Sequence, residues 1–100
     1  MRVSLQGYLL VSPEDLAAVR QALPLHISLT RQEVVCVLFQ VTESHQQTGR
    51  FDVHEEFVDR PSFEAHQARV KNSDWGAISR HAERFYQITE DCLSRSSAIR

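Results

Sequence analysis

Apolar and polar residues alternate over residues 2–12, which is the pattern of a β-strand. One face of this segment carries the apolar side chains Val3, Leu5, Leu9 and Val11. The opposite face begins with polar residues and becomes apolar at Tyr8 and Leu10. Because a strand face that meets water is polar along its whole length, this second face is not predicted to be simply solvated.

A helical pattern follows the first strand. The Ser-Pro-Glu-Asp sequence favours a helix start with Ser12 as N-cap, and apolar residues then recur every three or four positions. Pro24 stands inside this pattern, where a proline removes a hydrogen bond and clashes with the preceding turn. We therefore expect one helix over 13–23 and a second, shorter helix over 25–32.

The middle of the chain predicts two strands joined by a polar loop. Residues 33–42 are rich in β-branched and aromatic residues, which predicts a strand that is buried on both faces. Strict alternation puts Cys36 and Leu38 of this strand on the face opposite Phe39. The second strand, over 51–58, also alternates. One of its faces carries Phe51, Val53, Glu55 and Phe57.

Two further helices and a final strand are predicted in the last part of the chain. The first helix begins near Pro61, and its inner face is marked by Phe63, His66 and Val70. A break with Asn72 or Ser73 as N-cap precedes the second helix. The apolar stripe of that helix is Trp75, Ile78, Ala82 and Phe85. A weak strand over 86–93 and a loose tail over 94–100 complete the chain.

The predicted order of elements is strand, helix, strand, strand, helix, strand, with each helical region broken once. This is the βαββαβ order of a ferredoxin-like antiparallel sheet with helices on one face, an α+β fold. Residues 1–100 are predicted to form a single domain. The predicted helices can cover only one face of the sheet. The other face is nevertheless partly apolar on the first strand, and the strand over 33–42 is apolar on both of its faces. We therefore expect a homodimer that packs sheet against sheet.

Composition and charge narrow the classes of partner. The chain of 100 residues has a formal net charge of −2, which offers no basic surface for nucleic acid or an anionic membrane. No apolar run approaches the roughly 20 residues of a membrane span, and the start lacks the core of a signal peptide, so a cytoplasmic location is expected. The two cysteines form no CxxC pair, and the five histidines show no metal-ligand spacing. No metal is predicted.

The segment FDVHEEFVDRPSFEAHQARVKNSDW, residues 51–75, resembles the signature of the antibiotic biosynthesis monooxygenase (ABM) family. Glu55 matches a strand glutamate, Phe63 and His66 match the helix motif with its inward histidine, and residues 73–75 match the break before the last helix. The order of elements fits over about residues 3–88. The resemblance implies the dimeric α+β barrel fold of small quinol monooxygenases, whose homodimers form through their sheets.

The resemblance implies a cofactor-independent monooxygenase that acts on a small aromatic or quinol-like substrate. His66 and Glu55 both lie on predicted inward faces, so their side chains are expected to meet in an apolar cavity. His66 is the predicted base and Glu55 its orienter. Trp75, Phe57 and Phe63 are predicted to line the substrate pocket. The haem-degrading branch of the superfamily is disfavoured. The first strand lacks the asparagine that this branch carries, and the last helix lacks its histidine ligand.

Other interpretations of the same residues stay open. An inward histidine beside an inward glutamate is often a satisfied core pair that ties a helix to a strand. Trp75 also fits the apolar stripe of its helix and is then a core residue. One alternative is a small-molecule binding or regulatory domain of the same fold without turnover, and another is an isomerase that uses the same His66 and no dioxygen. No cofactor is predicted.

Overall fold

The computed structural model describes residues 1–91, which form a four-stranded antiparallel sheet and three helices. The strands are β1 (Arg2–Leu10), β2 (Cys36–Glu43), β3 (Arg50–Phe57) and β4 (Glu83–Asp91). The helices are α1 (Pro13–Arg31), α2 (Arg60–Lys71) and α3 (Asp74–Ile78). The strand order β2-β3-β1-β4 is that of a ferredoxin-like sheet, so the predicted fold class is confirmed. The predicted tail, residues 94–100, lies outside the described residues.

The register of the central strands fixes which residues face the helices. Leu5 on β1 lies opposite Glu55 on β3 and Ile88 on β4. Directly opposite residues of antiparallel strands point to the same face, so Glu55 lies on the inner face with the core. The largest fully buried apolar side chains of this core are Val3, Leu5, Leu9, Val19, Phe51 and Phe57.

The first helix is continuous through Pro24, so the prediction of two helices over 13–23 and 25–32 is wrong. Pro24 is exposed, and water can satisfy the carbonyl that a proline leaves without a partner. Residues on both sides of it are buried on one stripe: Leu16, Val19, His26 and Thr30. Packing of this stripe on the sheet offsets the local cost of the proline, which is about 3 kcal/mol in a helix interior.

A register shift between Cys36 and Leu38 corrects the predicted faces of β2. Cys36 pairs with Phe57 and therefore lies on the inner face, whereas strict alternation put it beside Leu38. Leu38 pairs with Glu56 on the outer face. The extra residue at the shift is Val37, which is exposed. The strand also begins at Cys36, and the residues from Glu33 to Val35 form a loop.

The last predicted helix is much shorter in the structure. α3 ends at Ile78, and β4 begins at Glu83, before the predicted start at residue 86. Phe85 therefore belongs to β4, where it pairs with Tyr8 and stacks on its ring with centroids 5.0 Å apart. The three- or four-residue spacing of the apolar residues predicted a longer helix. The residues at the end of that pattern also fit a strand, so spacing alone did not show where the helix ends.

The outer face of the sheet is mixed in character. Its apolar part comprises Tyr8, Leu10, Leu38 and Phe85. Its polar part includes Gln6 and His54, which approach to 3.2 Å, and His54 lies 3.3 Å from Glu56. Among the described helices, none is long and apolar enough to cross a membrane.

Candidate functional site

His66 is held on the inner side of α2. The helix begins at an N-cap, Asp59, whose carboxylate accepts a hydrogen bond of 2.9 Å from the backbone N–H of Ser62. Two turns later, the His66 side chain is only 1% exposed. Its ring lies over Phe57 with centroids 4.7 Å apart. The helix start and the aromatic neighbour together fix the direction of the imidazole.

Glu33 binds one nitrogen of this imidazole. It lies in the loop between α1 and β2, and its Oε2 is 3.2 Å from His66 Nδ1. Arg69, one turn after His66 on α2, donates from Nε to the same carboxylate oxygen at 2.8 Å. An ionised carboxylate accepts hydrogen bonds and donates none, so the proton is assigned to Nδ1 and the lone pair to Nε2. Glu33 could not be recognised from the sequence, because no local pattern connects a loop with a distant helix.

Glu55 faces the other nitrogen. It is 7% exposed, and its Oε1 lies 3.9 Å from His66 Nε2. Oε1 is the buried side-chain atom that has no hydrogen-bond partner among the described residues. Burial, reinforced by the Glu33 carboxylate, raises the pKa of Glu55 to about 7. Near neutral pH the carboxyl group is therefore protonated in a large share of molecules.

The pKa of His66 is lowered by burial, and the hydrogen bond to Glu33 opposes this shift. The imidazole is therefore largely neutral at pH 7 and presents Nε2 as an acceptor. Nε2 and Oε1 are too far apart for a direct hydrogen bond. An oxygen atom placed about 2.8 Å from each atom would satisfy both. The arrangement can thus bind a hydroxyl group and exchange its proton.

An open groove of about 470 Å³ lies between α1 and the α2–α3 corner. Its lining includes Ala22, Leu25, His26, Arg69, Trp75 and Ile78. His26 and Trp75 stack with centroids 4.7 Å apart and 5° between their planes. The His26 ring centroid is 6.5 Å from that of His66, which is not part of the groove lining.

His26 is a second candidate that the sequence analysis missed. The pKa of its imidazole is lowered to about 4, first by burial and then by the nearby His66 and Arg69. The neutral ring makes no hydrogen bond to any described residue. A neutral imidazole at the edge of an open groove can accept a hydrogen bond from a ligand. On the sequence, His26 looked isolated, because its neighbours Trp75 and Phe39 come from other elements.

The structure brings together some of the predicted site residues. His66 and Glu55 are adjacent, but neither lines the groove. Trp75 lines it. Phe57 and Phe63 are fully or almost fully buried and pack edge to face with centroids 5.9 Å apart, which makes them core residues next to His66. Within residues 1–91, no group of three or more His, Cys, Asp or Glu side chains could hold a metal ion.

The fold of this chain is similar to the folds of several solved structures. A candidate antibiotic biosynthesis monooxygenase from Deinococcus radiodurans superposes with a TM-score of 0.70 and 24% identity, over 92% of this chain and 93% of that chain. A similarly described protein from Nitrosomonas europaea gives 0.72 and 19% identity, over 91% and 98%. The protein Rv0793 from Mycobacterium tuberculosis gives 0.70 and 17% identity, over 92% and 96%. At these identities the likeness is one of fold.

Family membership rests on the sequence itself. Among curated proteins, none matches this chain. The family model described as antibiotic biosynthesis monooxygenase matches residues 2–78, which include α1, the central hairpin and both His66 and Glu55. The match covers more than half of the chain. The protein therefore belongs to the antibiotic biosynthesis monooxygenase family.

Proposed function

We propose that this protein is a cofactor-independent monooxygenase that oxidises a small phenol or quinol. The observation that carries the proposal is the unpartnered Oε1 of Glu55, which faces Nε2 of His66 across 3.9 Å. A buried polar atom without a partner is costly, and a substrate hydroxyl between the two side chains would satisfy it. Membership of the monooxygenase family supports the same class of reaction.

His66 is the base of the proposed reaction. Its Nε2 takes the proton of the phenolic hydroxyl, and Glu33 stabilises the imidazolium through Nδ1. Protonated Glu55 then donates a hydrogen bond to the phenolate oxygen, which is the role of an oxyanion donor. Glu33 thus takes the orienting position that the sequence analysis assigned to Glu55.

The phenolate supplies the electrons for dioxygen. One electron passes to dioxygen, and the resulting phenoxyl radical and superoxide combine at a ring carbon that carries hydrogen. The His66 imidazolium returns its proton to the peroxide oxygen, which gives a hydroperoxide and restores the neutral base. Loss of water from this hydroperoxide forms the quinone. In sum, a phenol and dioxygen give a quinone and water: four electrons leave the substrate, one oxygen atom enters the product, and the other leaves as water. The buried, apolar surroundings of His66 suit a reactive anion, because they exclude competing solvent protons.

The groove is the proposed route to this pair. An aromatic substrate would bind against Trp75, and movement of His26 away from Trp75 would connect the groove to His66. The apolar side chains of Leu25 and Ile78 along the groove suit a small aromatic molecule.

Oxygen uptake with a panel of phenols and hydroquinones tests the proposal. We expect turnover that falls by about 10² or more in His66→Ala and in Glu55→Ala, whereas Glu55→Gln keeps a donor and loses less. Glu64→Gln, on the exposed side of α2, serves as the matched control. Uptake that is equal in the wild type and in His66→Ala would refute the proposal. Exchange of substrate protons with solvent without oxygen uptake would point to an isomerase.

A binding domain without turnover is the second candidate, and one observation favours it. The His66 side chain is enclosed, and the groove is lined without it. In that case His66, Glu33 and Arg69 would serve to join α2 to the loop before β2. A ligand that binds the groove, raises the melting temperature and is recovered unchanged under air would support this candidate.

We also propose that the protein forms a homodimer through the outer sheet face. The stacked pair of Tyr8 and Phe85 supports this, because Phe85 is 46% exposed although it is a large aromatic residue. Light scattering after size-exclusion chromatography should give twice the chain mass. Phe85→Asp is expected to yield monomers, while Val34→Asp, at a residue that is 95% exposed in a loop, is expected to leave the dimer intact. A monomeric wild type at micromolar concentration would contradict the proposal.

A further inference from the structure

A second cavity, of about 510 Å³, lies where α2, α3 and the beginning of β4 meet. We call it the basic cavity, because its lining includes Lys71, Arg80 and Arg84 and, among residues 1–91, no acidic residue. It is distinct from the groove beside Trp75, with which it shares no lining residue. Val70 and Ala77 add apolar surface to it.

The three cations of the basic cavity differ from other arginines of the protein in their partners. Each of the following lies within ion-pair distance of a carboxylate: Arg2, Arg20, Arg50, Arg60 and Arg69. Lys71, Arg80 and Arg84 form no ion pair with any residue that the structure describes. Three unneutralised charges therefore gather in one concavity of a chain whose formal net charge is −2.

Arg84 is held in place without being neutralised. Its Nη1 donates to the backbone oxygen of Ser79 at 3.1 Å, and its Nη2 donates to the Ser79 hydroxyl at 2.9 Å. Ser79 is 1% exposed, and its hydroxyl in turn donates to the backbone oxygen of Trp75 at 2.7 Å. The guanidinium also makes a side-chain hydrogen bond to Tyr86, and no carboxylate of the described residues pairs with its charge. A positioned guanidinium without a carboxylate partner is suited to anion recognition.

The close contact of α2 with α3 shapes the basic cavity. A Cβ at Gly76 would collide with the backbone oxygen of Val70, so the helix corner can approach this closely only with glycine. This contact sets α3 near the end of α2, where Lys71 lies. The cavity is therefore built from α2, α3 and β4 together with the turn between α3 and β4, which carries Arg80.

A third cavity provides the contrast within the same molecule. It has about 610 Å³ along α1 and also contains two arginines, Arg20 and Arg31. Arg20 there is bound to the Glu43 carboxylate at 2.6 Å, and Arg31 donates to the backbone oxygen of Phe39 at 2.9 Å. Size and arginine content are thus similar, but one of the two arginines at this site is neutralised by a carboxylate, whereas none of the three cations of the basic cavity is neutralised by a described residue.

We propose that the basic cavity binds a small molecule that carries a phosphate group. A phosphate monoester is close to a dianion at pH 7 and offers several acceptor oxygens, which matches three cationic side chains. The cavity is larger than the anion alone requires, and Val70 and Ala77 can contact an apolar body on the ligand. The proposal does not depend on oxygen chemistry at His66.

Titration of the full chain with inorganic phosphate and with phenyl phosphate at constant ionic strength tests the proposal. Backbone amide shifts in NMR spectra should move at Gly76 and Ala77, and phenyl phosphate should bind more tightly than inorganic phosphate. The double variant Lys71→Gln/Arg80→Gln leaves Arg84 and its contacts in place, and we expect the dissociation constant to rise about tenfold or more.

Arg20→Gln is the matched control, and it should leave the dissociation constant unchanged. Unchanged amide positions at Gly76 and Ala77 with millimolar phosphate would overturn the proposal. So would equal losses in the control and the double variant, since binding would then reflect net charge alone. Equal affinity for the two probes would mean that the site recognises the phosphate group alone, and it would overturn the assignment of a ligand with an apolar body.

Discussion

The imidazole of His26 lies flat on the indole of Trp75, with 5° between the two ring planes. Trp75 is the one tryptophan of the chain, so its fluorescence reports on the groove alone. A protonated imidazole quenches a stacked indole, whereas a neutral one does so weakly. Because burial lowers the pKa of His26 to about 4, we expect quenching on acidification with a midpoint near pH 4. His26→Phe keeps the stacking and should abolish this transition. A midpoint near pH 6.5 would contradict it.

The same fluorescence tests the groove as a ligand site. An aromatic ligand that contacts Trp75 should change its emission in the wild type. Ile78→Arg, which introduces a charge beside Trp75 in the groove lining, is expected to weaken that response. Val34→Arg, at an exposed loop residue, is the control. A response that survives Ile78→Arg unchanged would exclude the groove as the binding site.

Glu55 and His26 should have opposite effects on stability as pH changes. The pKa of Glu55 rises from 4.5 to about 7, so between these values the folded state holds a proton that the unfolded state has released. The contribution of Glu55 to the free energy of unfolding therefore falls as pH rises, by about 1.4 kcal/mol per pH unit. The pKa of His26 drops from 6.5 to about 4, so between these values the unfolded state holds the extra proton. The contribution of His26 to the free energy of unfolding therefore rises with pH. The two pH-dependent contributions nearly cancel between pH 4.5 and 6.5.

Glu55→Gln should expose this cancellation. The free energy of unfolding of the variant, measured by urea denaturation, should rise between pH 4.5 and 6.5, whereas that of the wild type stays nearly flat. Relative to the wild type, the free energy of unfolding of the variant should increase as pH rises, by an amount on the order of 3 kcal/mol at pH 8. A difference that does not vary with pH would mean that only packing has changed. Glu64→Gln is the control.

Glu33→Gln should lower the pKa of His66. Burial already lowers this pKa, and the Glu33 hydrogen bond and charge oppose that shift. The variant removes the opposing charge and also frees Arg69, which lies nearby. NMR titration of the His66 ring protons measures the change. Glu43→Gln removes a comparable partner from Arg20 elsewhere on the surface and should leave the His66 titration unchanged.

Gly7→Ala should destabilise the sheet by about 2 kcal/mol or more. Gly7 adopts a φ of 151°, which side-chain-bearing residues rarely adopt. A Cβ at this position would also collide with the backbone oxygen of Phe85 on β4. Urea denaturation measures the loss. Ala82→Gly, in the loop before β4, provides a comparison without either constraint, and an equal effect would disprove the explanation.

Periodicity predicted the elements and the inward faces of β1, β3 and α2 well, because each has one clearly buried side. Periodicity gave the wrong structure at two places where a single residue determines the local geometry. The register shift after Cys36 reversed the face of that residue, and the packing of α1 overrode Pro24. A local pattern does not encode the pairing partner that determines a bulge or the buried stripe that carries a helix across a proline.

The site could be predicted only in part. The resemblance to the family and the inward faces identified His66 and Glu55, which do lie side by side. Glu33 and His26 could not be found in this way, because their contacts with α2 and α3 join segments that are far apart in sequence. Phe57 and Phe63 were predicted to line the substrate pocket, and both are almost completely buried in the structure.

The central position of β1 has a consequence for how the chain folds. Leu5 pairs with Ile88, so β1, which precedes the other three described strands in the chain, must wait for β4 before both of its edges are bonded. During synthesis, β1 can pair with β3 while its other edge stays open. An open edge in the middle of an unfinished sheet can pair with another nascent chain. Folding of this protein is therefore expected to be slow relative to helical proteins of its size, and sensitive to concentration until β4 docks.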